Sequence, residues 1–286
     1  MIVRLWTMSD IHIELTRGWD LSPPAERPAF DVMVMAGDLV PRMERGVRWL
    51  MERVPDKPVI YIAGNHEAYG TDETRTVEKA MQAAAGTNVH VLQNRTVALE
   101  DHKGKVTFAG TTMWTDFELH GDPVRAMAVA NDRMNDFRKI RTGGYRQRFR
   151  AHHALARHRQ SRAFLEAEMR KPREPGHRLV VVTHHSPLPG PPDGRAAPAG
   201  RLSDEEVLDA AYRSDLTALM APQPAADGAS ALQPADVWLF AHTHENFRAV
   251  IGETLVVSNS KGYGPWPPKE LRWENPHFDP NFILEI

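Results

Sequence analysis

Five short apolar runs, each ending in aspartate, asparagine or histidine, recur from one end of this 286-residue chain to the other. They are Ile2–Met8 before Ser9-Asp10, Val32–Met35 before Gly37-Asp38, Val59–Ile62 before Gly64-Asn65-His66, Leu179–Val182 before Thr183-His184-His185, and Val237–Phe240 before Ala241-His242. Apolar runs this short and continuous suit strands buried on both faces. Helical periodicity lies between them, over Met43–Arg53, Thr74–Ala84, Ala154–Met169 and Ser203–Met220, the last opening with a Ser-Asp-Glu-Glu capping pattern. Strands alternating with helices predict an α/β fold.

A second sheet is expected from a meander of Val89–Leu92, Val97–Leu99 and Val106–Ala109, and from a hairpin joining Arg248–Ile251 to Leu255–Val257 across Gly252-Glu253-Thr254. Residues from about 114 to 175 fit the strand series poorly and read as an insertion. The Pro/Gly/Ala tracts Pro187–Gly200 and Pro222–Ala231 read as loops. Any linker dividing the chain would separate the polar run-ends, so one domain over residues 1–286 is expected.

The chain has no cysteine, which excludes disulfides, iron–sulfur clusters and thiolate zinc sites and leaves its fourteen histidines with carboxylates and amides as metal ligands. A net charge of −2 advertises neither nucleic acid nor membrane as partner. No apolar run approaches the roughly 20 residues of a membrane helix, and the first residues do not read as a signal peptide. A cytoplasmic location is therefore expected.

Asp10 and His12 sit two apart at a strand end, as do His242 and His244, and alternation along an extended chain would aim both members of each pair one way. Asp38 follows a glycine, and its two carboxylate oxygens could bridge two cations. Singly, each motif is ordinary turn chemistry, since Asp, Asn and Gly are common at strand-to-loop junctions. As a set they are not, because an open α/β sheet gathers its strand-end loops into one crevice.

In this order Ser-Asp-Ile-His, Ala-Gly-Asp, Ala-Gly-Asn-His-Glu, Thr-His-His-Ser and Ala-His-Thr-His resemble the motifs of the calcineurin-like metallophosphoesterases, spanning Asp10 to His244. That resemblance implies two packed β-sheets flanked by helices, an α/β/β/α sandwich, here with an inserted helical cap. It implies Asp10, His12, Asp38 and His244 around a first metal, and Asp38, Asn65, His184 and His242 around a second. Manganese or iron is the implied metal, with zinc compatible. It makes His66 the proton donor to the leaving oxygen and places Asn65 and His66 against the substrate, a small phosphoester. The Glu67 side chain either orients one of these groups or serves the turn. Two departures stand out: Leu39-Val40-Pro41-Arg42 follows Gly-Asp where an acidic or amide residue is usual, and Ala241 replaces a glycine, implying backbone with φ below zero there.

Segment Arg133–Arg178 carries an excess of roughly ten positive charges. As a cap it could select the substrate, with Arg138 reaching the phosphate and Trp114 and Phe117 offering a stacking surface. The same charge motivates an alternative, a nuclease acting on DNA or RNA. A third reading is a scaffold that binds metal without catalysis. His185 would point away from His184 in an extended segment and is expected to pack or hydrogen-bond rather than ligate.

Overall fold

The computed structural model describes residues 2–16, 19–101, 104–190, 202–226, 228–265 and 272–286. Two mixed sheets pack face to face with helices outside. The first has the order β13 (Ile283–Glu285), β1 (Arg4–Met8), β2 (Val32–Met35), β3 (Val59–Ile62), β4 (Val89–Leu92), parallel except for β13. The second runs β11 (Asn246–Ile251), β12 (Thr254–Asn259), β10 (Val237–Phe240), β9 (Arg178–Thr183), β6 (Gly104–Thr111), β5 (Arg95–Asp101). Helices α1 (Met43–Arg53) and α2 (Glu73–Ala84) contribute Val47, Leu50, Val77 and Ala80 to the core on the outer face of the first sheet.

Alternation along each strand assigns its side chains to layers. In β2, Val32 and Val34 face the second sheet while Met33 and Met35 face the helices. In β10, Val237 and Leu239 face inward while Trp238 and Phe240 face outward. Burial on both faces is why these strands read as unbroken apolar runs. The sheets come close at Gly110, where an added Cβ would lie 2.6 Å from Leu92 Cβ and 2.8 Å from Ile62 Cγ2.

Three expectations are corrected. The expected meander is split: β4 extends the first sheet parallel to β3, and only β5 and β6 form a hairpin, in the second sheet. Ser203–Met220 is not one helix. Its capping box forms between Ser203 and Glu206, but helix α6 (Asp204–Leu208) gives way to short 3-10 turns. There Arg213 bridges Ser186 and Leu216 N donates to Pro187 O at 2.9 Å, so tertiary pairing to the loop after β9 ends the helix. Trp114 and Phe117 are buried, with Phe137 and Phe149, in a cluster under the cap, and offer no open stacking face.

The segment expected as an insertion does two jobs. Its long helix α5 (Ala151–Met169) supplies Leu165 and Met169 to the layer outside the second sheet. Helix α3 (Pro123–Arg133), the short α4 (Asp136–Lys139), the start of α5 and α6 share a separate apolar core through Ala126, Ala130, Phe137, Ala154 and Val207. A small ribbon of β7 (Arg141–Thr142) and β8 (Gln147–Arg148) completes this cap. Residues 191–200 of the first expected Pro/Gly/Ala loop lie outside the described residues. Among the described residues no helix is long and apolar enough to cross a membrane.

Candidate active site

The five polar run-ends meet at the carboxyl ends of β1, β2, β3, β9 and β10, but not by strand alternation. Asp10 (φ 54°) and His12 (φ 49°) lie beyond β1, and both are left-handed, as are Asp38 (φ 55°), His242 (φ 73°) and His244 (φ 52°). Asp and His are among the residue types that tolerate this conformation better than most. Each such residue turns the chain sharply where the strand stops. Ala241 stays out of the left-handed region, as its side chain requires, and its neighbours take the turn instead.

The motif glycines have a steric reason. A Cβ at Gly64 would collide with Asp38 Oδ1 and come within 2.7 Å of His184, and one at Gly37 (φ 92°) would lie 2.7 Å from His184 Nδ1. Backbone and ligand side chains approach too closely there for any side chain between them.

Asp38 stands between two groups of donor atoms. Its Oδ2 lies 3.7 Å from His12 Nε2, while its Oδ1 lies 3.5 Å from His184 Nε2. On the first side His12 Nε2 and His244 Nε2 are 3.3 Å apart, and His244 Nε2 is 3.6 Å from Asp10 Oδ1. On the second side His184 Nε2 is 3.0 Å from Asn65 Oδ1 and 3.1 Å from His242 Nδ1. Ligands about 2.0–2.1 Å from a common ion stand about 3 Å from one another at right angles, so these spacings suit shared cations. Within each of the trios Asp10, His12, His244 and Asp38, His184, His242, one ligand atom per residue fits inside 4.8 Å.

Tautomers agree with that reading. His184 Nδ1–H donates to Ala36 O at 3.0 Å and His244 Nδ1–H donates to Glu274 Oε2 at 2.6 Å, which leaves each Nε2 free to turn a lone pair inward. Among the described residues Asp10 Oδ1 is buried with no hydrogen-bond partner, an arrangement that a cation would satisfy and that is otherwise costly. The donor set is nitrogen and oxygen only, so it fits divalent manganese, iron or zinc.

Burial would raise the Asp38 carboxyl, but the His184 and His66 charges hold it well below the usual range. Burial would raise Asp10 as well, but the His244 imidazole 3.6 Å away holds it low. Burial alone would lower His184, yet Asp38 pushes it up to about 9, and Asp10 and Glu274 push His244 up to about 10. Burial and His185 keep His242 low. His185 packs against Trp114 and His242, with Nδ1–H donating to Thr112 O at 3.1 Å; burial drives it to about 3.

His66 Nδ1–H donates to Glu14 Oε1 at 3.0 Å, and its ring stacks on Tyr69 with centroids 4.1 Å apart. Its Nε2 faces Tyr263 Oη at 3.5 Å and Asp38 Oδ2 at 4.0 Å. Burial opposes the charged imidazole, but Asp38 and Glu14 outweigh it and raise His66 above its ordinary value. Glu14 thus supplies His66 with an acidic partner. Glu67 is fully buried and takes no surface role.

Arg138 is corrected: it is exposed, its guanidinium donates to Asp132 O, and it does not line the cavity over the candidate metal ligands. That cavity holds about 450 Å³ and is walled on the cap side by Arg133, Met134, Asp136, Leu208, Tyr212 and Arg213. Sequence reading missed Glu14, Asp136, Tyr263 and Glu274. Only Glu14, two residues beyond His12, carried a signal, the continued alternation of Asp10-Ile11-His12-Ile13-Glu14.

A profile of the calcineurin-like phosphoesterase family matches residues 3–246. Comparison with curated protein sequences gives no match. Among solved structures, a phosphopantetheinyl hydrolase from Mycobacterium tuberculosis superimposes with a TM-score of 0.61 at 17% identity, over 96% of this chain and 97% of that one. A dimetal phosphatase from Danio rerio gives 0.45 at 13% identity, over 90% of this chain and 86% of that one. A putative 5'-nucleotidase from Staphylococcus aureus gives 0.43 at 12%, over 90% and 48%. The first of these supports the sandwich fold on structural grounds alone. With its profile covering most of the sequence and the family's motif residues gathered at one crevice, the chain belongs to the calcineurin-like phosphoesterases and is a metal-dependent hydrolase.

Proposed function

We propose that the protein hydrolyses small phosphate esters at a pair of cations, one held by Asp10, His12, Asp38 and His244, the other by Asp38, Asn65, His184 and His242. The observation that carries this reading is Asp38, whose two oxygens face two different ligand groups. When bound, the cations, manganese or iron by preference, would offset phosphate charge and supply hydroxide near neutral pH. The side chains do the rest. Glu14 fixes His66 with a proton available at Nε2, the atom that faces the cavity and would protonate the leaving oxygen. Tyr69 keeps the imidazole plane in place by stacking.

The cavity of about 450 Å³ lies within the range of small-molecule sites. Its two arginines are committed: Arg133 pairs with Asp204 at 3.1 Å, and Arg213 with Asp209 at 2.9 Å and Glu245 at 3.0 Å. Both points favour a small substrate over nucleic acid.

Hydrolysis of chromogenic phosphomonoesters and phosphodiesters by the manganese-reconstituted protein tests the proposal. A phosphopantetheinyl ester belongs in the wider panel, since the structural neighbour of matching length is named for such hydrolysis. Asp38→Asn should lose about 100-fold or more of kcat and fail to retain two ions. A variant that keeps both ions and near wild-type turnover would sink the proposal.

A further inference from the structure

We infer that Asp136, carried by cap helix α4, is a positioning residue that fixes the Asn65 carboxamide with its oxygen turned toward the second cation, a role that rests on the two-ion reading above. Asn65 Nδ2 donates to Asp136 Oδ1 at 2.9 Å, and Asn65 Oδ1 lies 3.0 Å from His184 Nε2. Both residues are buried.

A carboxamide presents an oxygen and an NH₂ group of nearly the same size, so sterics do not choose between its two orientations. Only the oxygen can ligate a cation. With a cation bound, His184 cannot make the choice, because its Nδ1 proton goes to Ala36 O and its Nε2 lone pair would be given to the ion. Asp136 can. Its Oδ1 already accepts from the Tyr69 hydroxyl at 2.7 Å, so this atom is an acceptor whatever the charge of the carboxyl. A flipped Asn65 would set oxygen against oxygen in a buried site and forfeit the hydrogen bond between the two side chains. Within the loop of Asn65 itself the alternative is Tyr69 Oη, at a longer 3.4 Å.

The placement of Asp136 is costly and not repaid locally. Its Oδ2 is buried without a hydrogen-bond partner among the described residues. Its neighbours in sequence, Phe137 and Ile140, sit in the apolar cluster shared by α3, α4 and α6, which fixes where α4 lies. The cap therefore supplies an orienting contact to a metal ligand 71 residues away.

Calorimetric titration of the metal-stripped protein with Mn²⁺ tests this. Wild type should take up two ions. Asp136→Ala should weaken one of them by about 10–100-fold and leave the other as it was, since loss of a group that orients a ligand costs this much. The loss should not add to that of His184→Ala, which removes a ligand of the same ion. Asp136→Asn keeps the volume, lets either amide orientation form, and should weaken the same ion to a smaller degree; it reads the effect if the alanine variant does not fold. Wild-type affinity for both ions in the folded variants, or equal weakening of both, would overturn the assignment. Fewer than two ions on wild type would overturn the two-ion reading itself, and this role with it.

Discussion

Glu67 accepts four hydrogen bonds, from the backbone N–H groups of Asp38, Leu39 and Gly64 and from the Tyr61 hydroxyl, at 2.7–2.9 Å. It ties the loop after β2 to the loop after β3 and so fixes the backbone of Asp38. Burial and the nearby Asp38 charge push its carboxyl up to about 7 against the pull of those donors. Glu67→Ala would strand three buried N–H groups and a hydroxyl, and should cost about 3 kcal/mol or more in urea unfolding. A loss under about 1 kcal/mol would show that the loops are held by other means. Glu14 acts on chemistry instead. Glu14→Gln should lower kcat about 10–100-fold for an alkyl ester, whose leaving oxygen needs a proton, and hardly at all for a nitrophenyl ester, whose does not. Equal losses on the two substrates would remove His66 from the role of acid.

At the scale of elements, the strands and the first two helices were readable because their signals are local. The unbroken apolar runs of β1, β2, β3, β9 and β10 each needed only their own few residues to identify them. Ser203–Met220 and β4 were misjudged because distant partners decided them: the loop after β9 for the former, β3 for the latter. Five of the candidate ligand positions take left-handed backbone at strand ends, at a cost of about 1–3 kcal/mol each. The sheet core must over-determine them, and at Gly110 the two sheets leave no room for a side chain. Gly110→Ala should wedge the sheets apart and lower stability by about 1–3 kcal/mol. Thermal unfolding reads it, and an unchanged midpoint would mean that Leu92 and Ile62 can move aside.

For the whole molecule, stability and metal content are linked through protons. In the metal-free protein His184 and His244 titrate near about 9 and about 10 instead of 6.5. Groups raised on folding stabilise fully below the unfolded value and lose that contribution as pH climbs through the folded one. Between pH about 7.5 and about 8.5, where the lowered His185 and His242 are neutral in both states, these two groups give the folded state up to two more protons than the unfolded, so stability should fall by up to about 2.7 kcal/mol per pH unit. Mn²⁺ displaces those protons, so the loaded protein should lose this slope and release protons on binding. Unfolding midpoints across that window, with and without Mn²⁺, check it; a flat metal-free profile would contradict the assigned protonation. What the sequence by itself determined is the series of buried strands and the polar residues at their ends, because strand burial and strand-end turns are written within a few neighbouring residues; the two-sheet sandwich and the candidate ligand set from Asp10 to His244 came from the family resemblance those motifs carry. Only the tertiary structure decided which partners orient those ligands: Glu14 on His66, Asp136 on Asn65 and Glu274 on His244, contacts across 52, 71 and 30 positions. It also sent Arg138 to the surface and committed Arg133 and Arg213 to acidic partners. Such pairings depend on how the cap and loops pack in space, and no spacing along the chain records that.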